Sequence, residues 1–193
     1  LINYSVNNHR FEKKVDKSDL DLINTIDSTQ IPQWFPSSRL MNGKETRRND
    51  PIGLTHVHHF YTKRNLWVLA NFLNKTKSLK LKILITKVAM QITKLYRFTY
   101  QSGTWGAGGG PLSGTLYIPS LVKELNILKQ ITTSKDDFSK IETCTKFQNY
   151  CGMTGSSTRL PLSANETFDY IFLDPPFGSN LNYSELAFSW SPC

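Results

Sequence analysis

The sequence is poor in cysteine and has no long apolar segment. Its three cysteines, Cys144, Cys151 and Cys193, form no Cys-x-x-Cys pair, which argues against a disulfide framework or a zinc ribbon. No signal peptide is recognisable, and no apolar run approaches the roughly 18 residues that a membrane-spanning helix needs. Because unpaired thiols suit a reducing compartment, these scarcities predict a soluble, cytoplasmic protein that does not contact a membrane.

Acidic residues are also in short supply relative to basic ones. The 193 residues include 23 Lys and Arg but only 15 Asp and Glu, so the net charge is +8. A basic surface of this size favours polyanions, since contacts with phosphate release counterions. Hydrophobic residues make up 39% of the chain and aromatic residues 12%, which argues against disorder. The composition favours a globular protein that binds nucleic acid, with a basic protein lacking such a partner as the alternative.

Apolar periodicity predicts four helices in the first two thirds of the chain. One begins near an N-cap at Ser18, a second is capped by Thr62, a third covers about 79–98 and a fourth runs from Ser120 to about 131. A basic loop precedes the second helix, and lysines line the outer face of the third. Each of these two basic groups either faces water or contacts phosphate. The groups consist of Lys44, Arg47 and Arg48 in the loop, and of Lys80, Lys82, Lys87 and Lys94 on the helix.

The stretch FDYIFLDPPFGSNLNYSEL, residues 168–186, joins a dense apolar run to an acid and two prolines. The run over 170–173 is continuously apolar, which predicts a strand covered on both faces, as in a parallel α/β sheet. Such sheets bind ligands at the carboxyl ends of their strands, where Asp174 lies. The two prolines remove backbone donors and fix two φ angles, which leaves rigid carbonyl acceptors beside the ring of Phe177. These groups together can hold a planar ring that carries an amino group. The alternative is a strand that simply ends at a proline turn.

The Asp-Pro-Pro-Phe element at 174–177 resembles the Asp/Asn/Ser-Pro-Pro-Tyr/Phe/Trp motif of DNA amino-methyltransferases. The nearer likeness is to the site-specific, adenine-type DNA methylases of bacteria and archaea. That family contains stretches similar to GLTHVHHFYTKRNLWVLA, GGPLSGTLYIPSL and LPLSANETFDYIFLDPPFGSNLNYSEL, which lie between Gly53 and Leu186 and cover 58 of the 193 residues. Of these, the Asp-Pro-Pro-Phe element is the one specific for amino-methylation.

The resemblance implies an α/β fold, namely part of a Rossmann-like class I S-adenosylmethionine-dependent methyltransferase. Residues 1–193 would form a single partial domain. Its parts would be a helical and loop segment over 1–100, a Gly-rich loop and short strand over 101–120, and the catalytic portion over 121–193.

The resemblance also implies an activity, which is methylation of the exocyclic amino group of adenine in DNA. The target base would be flipped out of the duplex. Asp174 and the carbonyl of Pro175 would accept hydrogen bonds from the amino group, Pro176 would rigidify the loop, and Phe177 would stack on the base. The implied setting is a prokaryotic, nucleoid-associated restriction-modification system, whose restriction subunit would be a partner. Alternatives are an RNA or tRNA amino-methyltransferase, or a truncated, non-catalytic remnant that binds nucleic acid.

Three residues after the motif are candidates for contacts with the base. Asn182, Tyr183 and Glu185 lie where a lid or base-contacting segment of this family would follow the catalytic loop. An ordinary N-cap and helix start around 183–185 is the alternative for the same residues.

The cofactor-binding residues are not identifiable from the sequence. The family binds S-adenosylmethionine through a Gly-rich loop after a strand, but Gly106–Gly110 has neither a buried strand before it nor a helix directly after it. We therefore predict a flexible loop there, and expect the cofactor loop to lie upstream. Thr62, Lys63 and Arg64 open a helix whose N-terminus can hold phosphate or the cofactor carboxylate, unless they are simply exposed. On this basis the chain alone should bind S-adenosylmethionine poorly or not at all.

A metal site is not predicted. His56, His58 and His59 stand close together before the second predicted helix, but their spacing fits no common zinc pattern, and no cysteine or acid stands beside them. We assign them to the flank of that helix.

Overall fold

A computed structural model describes residues 2–7, 9–101, 104–105, 109–134, 169–175 and 183–188. Strands β1 (Ile2–Val6) and β2 (His9–Lys13) come first, followed by helices α1 (Lys17–Ser28) and α2 (Lys44–Arg47). Two 3₁₀ helices, Asp50–Ile52 and Val57–Phe60, lead into α3 (Lys63–Lys75) and α4 (Leu79–Gln91). The remaining elements are β3 (Tyr100–Gln101), β4 (Thr104–Trp105), α5 over 127–134, and α6 (Tyr183–Phe188).

Both sheets formed by the described residues are two-stranded and antiparallel. β1 and β2 pair from Ile2 with Lys13 to Val6 with His9, and the rings of Tyr4 and Phe11 stack with centroids 5.4 Å apart. β3 and β4 form a pair only two residues long. The Rossmann-like parallel sheet stays a prediction, because much of the portion expected to build it, including 135–168, lies outside the described residues.

Helix α1 begins earlier than the sequence pattern indicates. Its N-cap is Asp16, whose carboxylate accepts from the backbone N–H of Asp19, while the Asp19 side chain accepts from the Asp16 N–H. Ser18, the predicted N-cap, instead donates its hydroxyl to Asp16 at 2.7 Å. That hydroxyl, together with the Asp19 amide and Lys13, holds the pKa of Asp16 well below its usual range. The predicted cap at Ser18 is wrong because Asp16 completes a reciprocal capping box.

Helix α3 confirms the predicted cap at Thr62, whose hydroxyl accepts from the Asn65 N–H. Helix α4 ends at Gln91 rather than near 98. Beyond the helix, the Lys94 N–H donates to the Phe60 carbonyl at 2.7 Å. This hydrogen bond to a distant segment takes the place of one within the helix.

The fourth predicted helix also starts later than expected. It begins at 127, where the Asn126 side chain accepts from the N–H groups of Leu128 and Lys129. The chain before it pairs with the segment after α4, since Phe98 N–H donates to Leu121 O and Lys123 N–H donates to Tyr96 O. The predicted helix start at Ser120 is therefore wrong, because those backbone groups bond to another segment.

The apolar stripes of α3 and α4 pack together to form the core. Asn65 is buried within it, at 3% exposure, and its side-chain amide donates to the carbonyls of Ile92 and Leu125. These bonds fix the segments after α4 and before α5 against α3. The buried side chains of this core include Phe60, Leu66, Leu69, Ala70, Ile85, Val88, Ile92, Leu95, Leu116 and Ile127.

Candidate functional site

The segment before the Asp-Pro-Pro-Phe element does not form the predicted buried strand. Residues 169–175 carry no strand assignment, and the four apolar side chains over 170–173 are between 66% and 80% exposed. A continuously apolar strand needs sheet neighbours and covering helices on both faces. The described residues provide this segment with neither, so the prediction of a buried strand is wrong for this structure.

The described part of the motif is exposed, since Asp174 and Pro175 both belong to the exposed residues. Pro176, Phe177 and Asn182 lie outside the described residues. Tyr183 is the first residue of α6 and is 46% exposed. The helix expected around 183–185 is present as α6, and the contact of Tyr183 with the base stays a prediction.

Glu185 joins α6 to the loop that opens α2. It is buried, at 7% exposure, and its Oε2 accepts from the N–H groups of Glu45 and Thr46, each at 2.9 Å. The Thr46 hydroxyl donates to the same oxygen at 3.1 Å. One carboxylate oxygen thus satisfies two backbone donors of a segment 139 residues or more away in the chain.

Glu45 makes a second set of buried contacts. Its Oε2 accepts from the Thr115 hydroxyl at 2.5 Å and from the Leu116 N–H at 3.1 Å, and its Oε1 accepts from Arg48 at 2.8 Å. Burial raises the pKa of Glu45, but these three donors outweigh that effect, so the pKa lies below its ordinary value. Asn49 adds a bond from its side-chain amide to the Leu116 carbonyl at 2.8 Å.

Sequence reasoning missed Glu45 and Asn49, and it assigned Glu185 to a lid or base-contacting segment or to a helix start rather than to a buried contact. Each of the three is polar yet buried, at 7%, 3% and 7% exposure. Apart from Arg48, which contacts Glu45 from three residues away, the partners described above lie 67 or more residues away, so no local spacing in the sequence predicts these contacts. The sequence feature that accompanies them is Gly43, where a Cβ would overlap the Glu185 carboxylate.

A cavity of about 790 Å³ opens beside the start of α3. His58 and His59 line it, with ring centroids 4.3 Å apart. Burial, followed by the nearby charges of His59, His56 and Lys94, lowers the pKa of His58 to about 4. No group of three metal-ligating side chains is found in the described part of the chain. The cavity also has an apolar wall, formed by Ile23, Ile26, Ile31, Phe35, Leu54 and Leu66.

The cations around this cavity are bonded within the chain. Arg64 contacts both carboxylate oxygens of Glu124, at 3.1 Å and 3.0 Å, and the Thr62 hydroxyl donates to Glu124 at 2.8 Å. Lys63 donates to the Asp27 carbonyl and Lys94 to the His59 carbonyl. The sequence left open whether Thr62–Arg64 hold phosphate or the cofactor carboxylate or are simply exposed. In the structure, Thr62 and Arg64 bond to the carboxylate of Glu124, and binding of an external anion stays a prediction.

Gly109 and Gly110, the described part of the glycine run, contact Arg97. Gly109 and Gly110 have φ angles of +89° and +129°, and the Arg97 side chain donates to the Gly110 carbonyl at 2.9 Å. A Cβ at Gly109 would lie 2.7 Å from the Arg97 carbonyl oxygen. The strands before it are the short antiparallel pair β3–β4, and residues 111–126 are not helical. Gly109 therefore allows a close backbone approach to Arg97, whereas glycine at 110 is favoured by its positive φ alone, since a Cβ there would meet no neighbouring atom.

Much of the charge of the basic loop is bonded within the chain. Arg47 is bonded to the Leu40 carbonyl and to Asp50, and Arg48 to Glu45. Lys44 is exposed, as are Lys82 and Lys87 on α4. Among the described residues, no helix is both long and apolar enough to cross a membrane.

Comparison with known proteins identifies no relative of this chain. No family model, no curated protein and no solved structure matches it.

Proposed function

We propose that the chain carries the base-binding loop of a DNA amino-methyltransferase that acts on adenine. One observation supports this above the others: Asp174 and Pro175, which supply a carboxylate and a carbonyl acceptor, are adjacent exposed residues, and Pro176 and Phe177 follow them in the sequence. The combination matches what an exocyclic amino group on a planar ring requires of its binding site.

The chemistry follows from the acceptors. The amino nitrogen of adenine is a poor nucleophile because its lone pair is delocalised into the ring. Two acceptors, one from the Asp174 carboxylate and one from the Pro175 carbonyl, bind the two N–H hydrogens of that amino group. This arrangement concentrates the lone pair on nitrogen, and the carboxylate favours the positive charge that develops there. Phe177 stacks on the flipped base, a contact worth about 1–3 kcal/mol.

The implied cofactor, S-adenosylmethionine, would supply a methyl group bonded to a sulfonium. The described residues do not fit it. Gly109 and Gly110 contact Arg97 and are not followed directly by a helix, and the cations beside α3 are bonded to Glu124, Asp27 and His59. We therefore propose that the cofactor loop lies outside the described residues.

The proposed nucleic acid partner is supported by charge. The net charge of +8 and the exposed lysines Lys44, Lys82 and Lys87 provide contacts to phosphate that do not depend on base sequence. Affinity for DNA should therefore arise mainly from these cations, and turnover mainly from the loop at 174–177.

The experiment is a methyl-transfer assay on duplex DNA and on RNA, using the chain alone and the chain extended upstream. Asp174→Ala should abolish transfer and leave DNA affinity nearly unchanged, because Asp174 acts chiefly in the transition state. Asp169→Ala is the matched control, since Asp169 is also exposed and lies five residues upstream in the same segment. Near-normal turnover of Asp174→Ala would contradict the assigned role.

The same assay distinguishes the alternatives. Transfer to RNA but not DNA would indicate an RNA or tRNA amino-methyltransferase. Binding of nucleic acid without transfer by either polypeptide would indicate a non-catalytic remnant. Transfer to DNA that is lost in Asp174→Ala and retained in Asp169→Ala is the result that the proposal requires.

A further inference from the structure

The cavity beside α3 is lined by both apolar and polar side chains. Ile23, Ile26 and Phe35 belong to its apolar wall, while Lys94 and His59 form a polar cluster in which the Lys94 ammonium donates to the His59 carbonyl at 2.8 Å. The volume of about 790 Å³ lies within the roughly 300–1,000 Å³ that small-molecule sites have. A ligand that fills this cavity therefore needs an apolar body and a polar group.

Helix α1 contributes apolar side chains that the chain itself leaves partly uncovered. None of its residues is buried, and Ile23, which lines the cavity, is 40% exposed. Removal of apolar surface from water favours association. The apolar body of a ligand that lay against α1 would therefore be stabilised by covering these side chains.

Lys94 is a half-buried cation that is not paired with a carboxylate. An ammonium group has three N–H donors, and the hydrogen bond that Lys94 makes among the described residues goes to a neutral carbonyl. Burial lowers the pKa of Lys94, and the carboxylates of Asp27 and Glu124, which make no ion pair with it, counteract this effect only in part. Because a charge removed from water is costly unless it is paired, a negative group beside Lys94 would be stabilised.

The charges that line the cavity leave a net positive value. Three cations and two carboxylates are present, so the net charge is +1, and the two histidines are neutral at neutral pH because burial lowers the pKa of each. One carboxylate would therefore neutralise the site, whereas a dianion would leave an excess of negative charge. The charged residues are Lys63, Arg64, Lys94, Asp27 and Glu124.

His58 adds a hydrogen-bonding atom that the described part of the chain does not use. Its Nδ1 is buried and has no hydrogen-bond partner there. The centroid of its ring lies 5.5 Å from that of Phe35 and 4.3 Å from that of His59, so the apolar wall and the polar cluster meet at His58. Buried polar atoms in proteins are usually hydrogen-bonded, and a ligand group that reached this nitrogen would supply the missing partner.

We propose that this cavity binds a small organic carboxylate with an apolar body, whose carboxylate contacts Lys94 and whose apolar body lies against α1. The apolar wall disfavours a small inorganic anion, which could not cover it, and the net charge of +1 disfavours a polyanion. The site shares no residue with the loop at 174–177, so the inference does not depend on the proposed function.

The first test compares three probes. Pyrenebutyrate combines a large apolar body with one carboxylate, pyrenebutanol has the same body without the charge, and acetate has the charge without the body. In fluorescence titrations of the 193-residue chain, pyrenebutyrate should bind with a Kd on the order of 10 µM. Pyrenebutanol should bind about tenfold more weakly, because hydrogen bonds to charged groups are the stronger ones. Equal affinity for the acid and the alcohol, or displacement of pyrenebutyrate by an equal concentration of acetate, would overturn the proposal.

The second test assigns the carboxylate contact to Lys94. Lys94→Met keeps an apolar stem and removes the charge, so pyrenebutyrate should bind about tenfold more weakly, whereas the affinity for pyrenebutanol should stay the same. Unchanged binding of pyrenebutanol also shows that the cavity is intact in this variant. Lys129→Met is the control, since Lys129 is an exposed residue of α5 outside the cavity, and it should change neither affinity. An equal loss of both probes in Lys94→Met, or no loss of either, would contradict the assigned contact.

The third test concerns the apolar wall and uses two neighbouring positions of α1. Ile23→Ser should weaken the binding of both pyrene probes by about fivefold or more, because it removes an apolar contact. Leu22→Ser should leave both affinities unchanged, since Leu22 is 57% exposed and does not line the cavity. Neither side chain is buried, so both variants should fold. Equal affinities in Ile23→Ser and Leu22→Ser would show that the probes bind elsewhere, such as on the exposed apolar segment 170–173, and would overturn the proposal.

Discussion

Substitution of Glu45 by Gln tests the buried contacts that hold α2 to the core. The change keeps the size of the side chain and one oxygen acceptor but removes the negative charge. Its contacts are the Thr115 hydroxyl at 2.5 Å, the Leu116 N–H at 3.1 Å and Arg48 at 2.8 Å. If the remaining amide oxygen faces Thr115 and Leu116, the new NH₂ group faces Arg48, and two donors oppose each other.

The magnitude follows from the strength of each bond. A hydrogen bond to a charged group contributes about 1.5–3 kcal/mol and one between neutral groups about 0.5–1.5 kcal/mol, so each of the two buried bonds loses about 1 kcal/mol. The ion pair with Arg48, whose side chain is 43% exposed, adds at most about 1 kcal/mol. Glu45→Gln should therefore lower the free energy of unfolding by about 2 kcal/mol, which corresponds to roughly 4–8 °C in Tm for a chain of this length.

The pH dependence supplies an internal check. The pKa of folded Glu45 lies below its ordinary value of 4.5, so its contribution is fully present above pH 4.5 and is lost as the pH falls through the lowered folded pKa. The difference between wild type and Glu45→Gln should accordingly be complete at neutral pH and shrink below pH 4.5. The amide that replaces the carboxylate in this variant cannot titrate, so any remaining pH dependence belongs to other groups.

The assay is unfolding in urea followed by tryptophan fluorescence, since Trp67 packs against the core. Glu12→Gln is the control, because Glu12 is an exposed residue of β2 and its substitution should change stability by less than about 0.5 kcal/mol. Equal stability of wild type and Glu45→Gln at neutral pH would refute the role given to this carboxylate. A difference that persists unchanged well below pH 4.5 would show that the charge of Glu45 is not its origin.

Three further predictions concern the base, the histidines and the cofactor. Phe177→Trp should retain activity, whereas Phe177→Ala should weaken capture of the flipped base by about 1–3 kcal/mol. A fluorescent base analogue at the target position that flips as readily with Phe177→Ala as with the wild type would contradict stacking. The pKa of His58 is about 4 in the folded protein, against 6.5 ordinarily. Because the unfolded chain therefore takes up this proton at a higher pH than the folded chain, the free energy of unfolding should decrease as the pH drops from 6.5 towards 4. In urea titrations, His58→Phe should reduce that fall and the exposed-site control His9→Phe should not; parallel pH profiles for His58→Phe and wild type would refute this. Calorimetry of the 193-residue chain should detect poor or no binding of S-adenosylmethionine, and micromolar binding would place a cofactor site within it.

The sequence by itself determined those features that depend on near neighbours in the chain. Thr62 caps α3 because its hydroxyl reaches the N–H three residues on, and the apolar stripe Leu66, Leu69 and Ala70 is buried as its spacing predicts. The candidate chemistry of the loop is also local, since Asp174 and its adjoining prolines are consecutive residues. Such features involve distances of one or two helical turns, which the residue order fixes.

Only the tertiary structure decided the features that depend on where distant segments meet. Helix α4 ends at Gln91 because the Lys94 N–H donates to the Phe60 carbonyl instead of to a carbonyl of the helix. The Thr62 hydroxyl donates to the carboxylate of Glu124, which lies 62 residues away in the chain. Glu185 is a buried anchor only because the path of the chain brings the N–H groups of Glu45 and Thr46 to it. In the sequence, an acid that becomes buried looks the same as one that stays exposed to water. Which of the two it becomes depends on whether folding brings hydrogen-bond donors to its carboxylate.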